Sequence, residues 1–277
     1  MHRRTCSKGS IMPQSNTSAA LERAPRIRPS TGPALLVVVV YAAVFTVTAA
    51  TSGIPYTEWF DSSANVWRTA VLPLAAGTIV LIAFLWWSRW DGIFRDRERL
   101  RVPVVLWVAV AAFVVGIILH LVFVDWSGLG IDLLIPILVA GALVGFAEET
   151  LFRGILLRGL RADGRTEATV AVGTSVVFGV FHLTNLITGS PVPAVLNQVL
   201  LATMTGAILY SFRRISGLLV PAIAAHALWD ISLFLPAADP TTASSLIGLA
   251  LLVVIPVLGL IALVTVAVRD RQTPSMA

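Results

Sequence analysis

The stretch IDLLIPILVAGALVGFAEETLFRGILL, residues 131–157, decides how the rest of the chain is read. It exceeds the roughly 20 apolar residues that cross the hydrocarbon core of a bilayer. Yet it holds two adjacent carboxylates, Glu148 and Glu149, and an arginine, Arg153, within its inner half. Each ionised group at mid-membrane costs about 2.5–3.5 kcal/mol on insertion scales. A helix that keeps three of them needs a reason in packing or in chemistry.

The rest of the chain has the same character. It is 57% hydrophobic and 13% charged over 277 residues, against about 25% charged in an ordinary soluble domain. Several windows pass the length of about 18 apolar residues that marks a transmembrane helix. The pattern predicts eight spans: Pro33–Thr51, Ala70–Trp87, Val102–Val124, Ile131–Leu157, Ala168–Ile187, Ala194–Phe212, Leu218–Leu235 and Ser244–Val268. Span 2 carries a proline, so its limits are the least defined. The expected fold is an all-α polytopic transmembrane helix bundle. Residues 1–32 read as a disordered cytoplasmic tail, 33–268 as the helical domain and 269–277 as a short cytoplasmic tail. No internal repeat, glycine-rich phosphate loop or second soluble domain is visible.

A net charge of +5 could suit a nucleic-acid partner, but its distribution argues otherwise. Arg3, Arg4, Lys8, Arg23, Arg26 and Arg28 precede span 1, and Arg89, Arg95, Arg97, Arg99 and Arg101 follow span 2. Arg158, Arg161 and Arg165 follow span 4, Arg213 and Arg214 span 6, and Arg269 and Arg271 span 8. The alternate connections hold Arg68 and the acids Glu58, Asp61, Asp125 and Asp239. Basic residues gather on the cytoplasmic side of a membrane protein. This alternation predicts an even number of spans with both termini in the cytoplasm. The arginines are topology signals and headgroup contacts, and no nucleic-acid partner is expected. Cys6 is the single cysteine, so no intramolecular disulfide can form, and it reads as a passive thiol.

Ionisable groups in hydrocarbon are functional candidates by default. They are His120, Glu148, Glu149, Arg153, His182, His226 and Asp230. Glu149 and Arg153 stand four apart and can pair on one helix face. Gly141 and Gly145 share a face with Glu148 and let a neighbouring helix approach. Phe178 and His182, and His226 and Asp230, are likewise four apart. At about 1.5 Å per residue, Glu148 lies roughly 14 Å from the inner end of its span and His182 roughly 21 Å. His226 and Asp230 lie roughly 12 and 18 Å from theirs. Three helices thus deliver polar groups to one slab of the membrane. His120, near the outer end of span 3, reads as an interfacial histidine. Asn197 and Gln198 read either as interhelical hydrogen-bond glue or as wall of the site.

These groups, Glu148-Glu149-xxx-Arg153, Phe178-xxx-His182 and His226-xxx-Asp230, resemble in order the EExxxR, FxxxH and HxxxN/D motifs of the CPBP family, the type II CAAX prenyl proteases and their bacteriocin-processing and immunity relatives. The resemblance covers about residues 131–235. It implies an intramembrane glutamate-dependent endopeptidase. In that scheme Glu148 is the base on a water, assisted by His182, and His226 stabilises the oxyanion. Glu149 and Arg153 form an orienting pair. Asp230 stands where prenyl-protease members usually carry Asn; an ionised Asp cannot donate a hydrogen bond, which leaves open a prenylated substrate and the role of Asp230.

The chemistry also stands on its own. Hydrolysis by water needs a base and donors for a developing oxyanion, and a Glu beside His in a low-dielectric cavity can be tuned for it. The expected partners are a membrane-anchored or lipid-modified peptide or protein substrate and the bilayer, the bacterial cytoplasmic membrane. No cofactor is expected. Rival readings are a zinc-dependent protease with Glu148, His182 and His226 as ligands, a proton-coupled carrier, and a non-catalytic immunity or scaffold protein.

Overall fold

The structure, a computed structural model, describes residues 24–96, 100–238 and 241–271. Residues 1–23 of the expected N-terminal tail, Arg97, Arg99, Asp239 and residues 272–277 of the C-terminal tail lie outside the described residues. Eight long helices cross the described chain, and no sheet forms among the described residues; one isolated bridge joins Arg95 and Leu218. We number them α1 (Thr31–Ala50), α2 (Ser63–Ser88), α3 (Val104–Val122), α4 (Ile131–Ala162), α5 (Glu167–Leu186), α6 (Val192–Ser216), α7 (Val220–Ala238) and α8 (Thr242–Arg271). Seven are long and apolar enough to cross a membrane, and α7 is a shorter apolar helix over Val220–Leu235. The protein is a multi-pass integral membrane protein built as a helix bundle. Its outer surface fits that solvent: Val104, Trp86 and Ile79 are 76%, 77% and 66% exposed, a liability in water but the normal state against acyl chains.

Helix ends follow local chemistry. The Ser62 hydroxyl accepts from Asn65 N–H (3.2 Å) at the start of α2, and the Thr166 hydroxyl from Thr169 N–H (3.2 Å) at the start of α5, each satisfying an orphan donor of a first turn. Helix α6 stops at Gly217, whose φ of +65° suits a residue without Cβ. Helix α2 begins at Ser63, seven residues before the expected Ala70. The extra turns carry Asn65, Trp67 and Arg68, an interfacial composition that an apolar window does not register. They run into a π-helical turn at Trp67–Val71. Pro73 explains that turn: it offers no N–H to the carbonyl four residues back, and its ring crowds it.

Two faces of the bundle emerge. On one, Thr31 N–H donates to Asp163 (2.8 Å), Arg26 N–H to Ser88 O (3.0 Å) and the Trp90 indole to Ile27 O (3.0 Å). The starts of α1, α3, α5 and α7 therefore meet the ends of α2, α4 and α6 there. On the other, Tyr56 N–H donates to Thr188 O (2.9 Å), and the Thr241 hydroxyl to Phe123 O (3.0 Å). The arginine-bearing connections share the first face and the acidic ones the second. The first face is tied by ions: Arg161 pairs with Glu167 (2.5 Å) and Asp96 (3.0 Å), Arg213 also pairs with Asp96 and donates to Ile93 O (2.6 Å), and Tyr210 bonds Glu167.

Candidate active site

Helix α4 delivers the carboxylates. Immediately after Glu149 the backbone widens into a π-helical segment, Thr150–Leu156. Such segments are rare and concentrate at functional sites. Helix α7 approaches α4 closely because Gly141 and Gly145 have no side chain: a Cβ on Gly145 would lie 2.5 Å from Ile223 O and 2.7 Å from Ala227 N. The small-residue stripe expected from sequence is thus the α4–α7 contact. Gly206 serves similarly on α6, where a Cβ would stand 2.7 Å from the Arg153 guanidinium and 3.0 Å from the Phe178 ring.

The close approach has a chemical result. Arg153 Nη1 donates to Glu149 Oε1 at 2.7 Å, with both side chains fully buried. His226 Nδ1 meets the same oxygen at 2.9 Å. A carboxylate only accepts, so Nδ1 carries the proton in this bond. One buried oxygen therefore holds side chains from two helices. The Arg153 guanidinium also lies 4.5 Å above the Phe178 ring, a cation–π contact. Glu149 Oε2 and Arg153 Nε and Nη2 have no hydrogen-bond partner among the described residues. Polar groups left this way inside a core cost stability, so stability alone does not account for them.

The other nitrogen of His226 faces two more carboxylates. Nε2 lies 3.9 Å from Glu148 Oε2 and 3.8 Å from Asp230 Oδ2. Both are beyond hydrogen-bond range yet within strong Coulomb reach. Asp230 is accordingly beside His226 without bonding it; the group that orients His226 is Glu149, a link the sequence reading did not contain. On α5 the α-helix ends at Phe181 and tightens into a 3₁₀ turn over His182–Leu186. His182 Nδ1 donates to Phe178 O at 3.0 Å. The neutral ring then has its lone pair on Nε2, free to accept a proton. Phe178 separates the imidazoles, packing edge-on against His182 (5.1 Å) and His226 (5.5 Å).

Glu148, His182, His226 and Asp230 all line one cavity of about 760 Å³. Most of its wall is apolar, with Phe45, Trp59, Phe181 and Trp229 among its aromatic residues. A polar strip crosses it: Asn185 donates to Gln198 (2.8 Å), and Gln198 to the Tyr56 hydroxyl (3.4 Å). Gln198 is therefore both glue and wall, while Asn197 is exposed on the outside of α6. His120 differs from expectation. It is buried, lies 3.4 Å from the Ser232 hydroxyl and lines the same cavity, because α3 packs against α7 and turns that side chain inward. Tyr56 gave no signal in the sequence, since it sits in a connection between spans. Among the described residues, no three His, Cys, Asp or Glu side chains are grouped so as to hold a metal ion.

Fold and site together define a polytopic membrane protein that keeps a carboxylate–histidine centre at the base of a cavity within its helix bundle. The family model described as Type II CAAX prenyl endopeptidase Rce1-like matches residues 130–232, from α4 into α7, which include the three helices that carry these side chains. Over that segment the chain is similar to the type II CAAX prenyl endopeptidases, in keeping with the order of its three motifs. No curated protein matches the chain.

Proposed function

We propose that the protein is an intramembrane endopeptidase that cleaves a peptide bond with a water activated by Glu148. The observation that carries this reading is convergence: three helices bring Glu148, His182 and His226 onto one cavity wall, with each imidazole's Nδ1 already committed. Water adds to the scissile carbonyl carbon as its proton passes to Glu148. His182, with Nε2 as acceptor, holds the water for that transfer. The oxyanion faces His226. Because Nδ1–H is used by Glu149, Nε2 can donate only from the imidazolium form. Collapse breaks the C–N bond, and the proton on Glu148 moves to the departing amine. Asp230, close to Nε2 but not bonded, supports the charge on His226 rather than donating to the oxyanion. Arg153 holds Glu149, and Glu149 holds His226.

The alternating charge of the two faces supports an orientation with the arginine-rich face and both termini in the cytoplasm, in a bacterial cytoplasmic membrane. The apolar cavity supports a membrane-anchored or lipid-modified polypeptide as substrate. The scheme uses no cofactor and no nucleic acid.

The test is a comparison of membrane-protein fragments from cells carrying the intact protein and Glu148→Gln, followed by cleavage of a fragment-derived peptide by purified protein with and without chelator. Fragments that vanish in Glu148→Gln, and cleavage indifferent to chelator, are expected. Fragments that persist in Glu148→Gln would leave a scaffold or immunity role. Metal-reversible loss on chelation would recast the same residues as ligands.

A further inference from the structure

Among the described residues, the cavity reaches one of the two faces. Its buried end is formed by Glu148, His226, Phe178 and Thr205. Its other end is formed by Thr57 and Asp61 of the α1–α2 connection and by Pro191 and Ala194 at the start of α6, all of them exposed. These belong to the acidic face. None of the lining residues lies in an arginine-bearing connection. At that opposite face the partly buried Asp96–Arg213 pair and the Arg161–Glu167–Tyr210 chain bind the ends of α4 and α6 and the start of α5 together. Exposure thus falls from mouth to base in one direction. Leu233 of α7 and Leu252 of α8 also line the cavity, and they are 39% and 46% exposed on the apolar flank of the bundle.

We propose that this cavity takes its substrate from the face opposite the arginines, which the charge alternation makes the outer face of the membrane. The substrate class is then an apolar, membrane-anchored polypeptide whose scissile bond reaches the middle of the bilayer from the outer side, and a soluble cytoplasmic tail finds no mouth on its own side. This substrate assignment rests on the hydrolase reading above; the side of access does not. Extended chain entering past Tyr56 meets the strip of Gln198 and Asn185, which supplies amide donors and acceptors for a peptide backbone in a wall that is otherwise apolar. Leu233 and Leu252 open the flank through which an anchoring segment can stay in lipid while its adjoining residues reach Glu148.

The experiment uses the full chain with its sole cysteine removed (Cys6→Ser) and single cysteines introduced. Ala202→Cys reports the cavity wall, Ala70→Cys repeats that report from α2, Arg165→Cys marks the arginine-rich face and Gly128→Cys the acidic face. Right-side-out spheroplasts and inverted vesicles are treated with membrane-impermeant methanethiosulfonate ethyltrimethylammonium. In spheroplasts, Ala202→Cys and Ala70→Cys should react along with Gly128→Cys and be spared in inverted vesicles, where Arg165→Cys reacts. Cavity cysteines that react with Arg165→Cys, or from neither side, overturn the proposal, as does reaction of Arg165→Cys from outside. The same labelling in the Glu148→Gln background reads the access side without catalysis. Outward labelling of the protein with Glu148 intact, if that protein cleaves no peptide, would sink the hydrolase reading and leave the access side standing.

Discussion

Glu149 and His226, 77 positions apart in the chain, meet at 2.9 Å through the carboxylate oxygen that also receives Arg153 at 2.7 Å. Glu149 is thus held by two partners, Arg153 and His226, rather than by Arg153 alone. Removing one ion of a buried pair leaves the other uncompensated, at about 3–5 kcal/mol, while removing both costs less. Arg153→Met should therefore lower the yield of folded protein more than Glu149→Gln combined with Arg153→Met. The check is monodisperse yield after detergent extraction. Equal yields would show that the pair does not act as a unit.

Glu148 and His182 should behave as one catalytic unit. Loss of a general base typically costs about 10²–10⁴ in rate. Once Glu148→Gln has removed the base, adding His182→Ala should lower turnover little further, because residues that act together are not additive. Single and double variants assayed on one peptide substrate decide this. A double variant whose loss equals the product of the single losses argues for independent roles.

His226 should separate turnover from binding. An oxyanion donor is felt in the transition state, so His226→Ala should cost roughly 10²–10³ in kcat with KM nearly unchanged. Single-turnover kinetics and a binding assay with a non-cleavable peptide measure the two parts. A rise in KM at constant kcat would place His226 in ground-state binding instead.

Gly145 is a packing test of the same centre. A side chain there meets the backbone of α7 at Ile223 and Ala227, and backbone cannot rotate aside. Gly145→Val should cost at least the roughly 1–3 kcal/mol of an overpacked core, and it should part Glu149 from His226. Gly173→Ala is the control, since its Cβ meets only Leu160 Cδ1 at an ordinary 3.5 Å. Thermal unfolding in detergent should show a clear drop for the first and little change for the second.

At the arginine-rich face, hydrogen bonding from Thr31 holds the Asp163 carboxyl below the usual carboxylate range. A carboxylate with a depressed folded-state pKa contributes stability above its unfolded value, near about 3.9, and loses it as pH falls through the folded value. Asp163→Asn should therefore lower the melting temperature slightly at pH 7, and the difference should fade on acidification below pH ~4. A gap that widens on acidification would mean that Asp163 acts by another route.

Much of this was legible in the chain alone. Eight apolar windows, the loop-by-loop arginine pattern and the one-turn spacings of Glu149 with Arg153, Phe178 with His182 and His226 with Asp230 are local properties, and a lipid solvent makes them decisive. With no water to satisfy the backbone, each window has to become a helix. Each buried charge then has to face inward. The limits of α2 were less legible, because Ser63–Arg68 is a polar, interfacial turn that hydropathy does not see. Which helix lies beside which is not a local property, and only the tertiary structure decided it. It made Glu149 the partner of His226, brought His120 and Tyr56 into the cavity wall, set Asp230 beside Nε2 rather than on it, and opened the cavity toward the acidic face. The physical reason is that hydrocarbon rewards burying a polar group equally well against any neighbouring helix. Close approach at Gly145 and Gly206, and the ion pairs that tie the arginine-rich face together, select one arrangement from the many that the same periodicity allows.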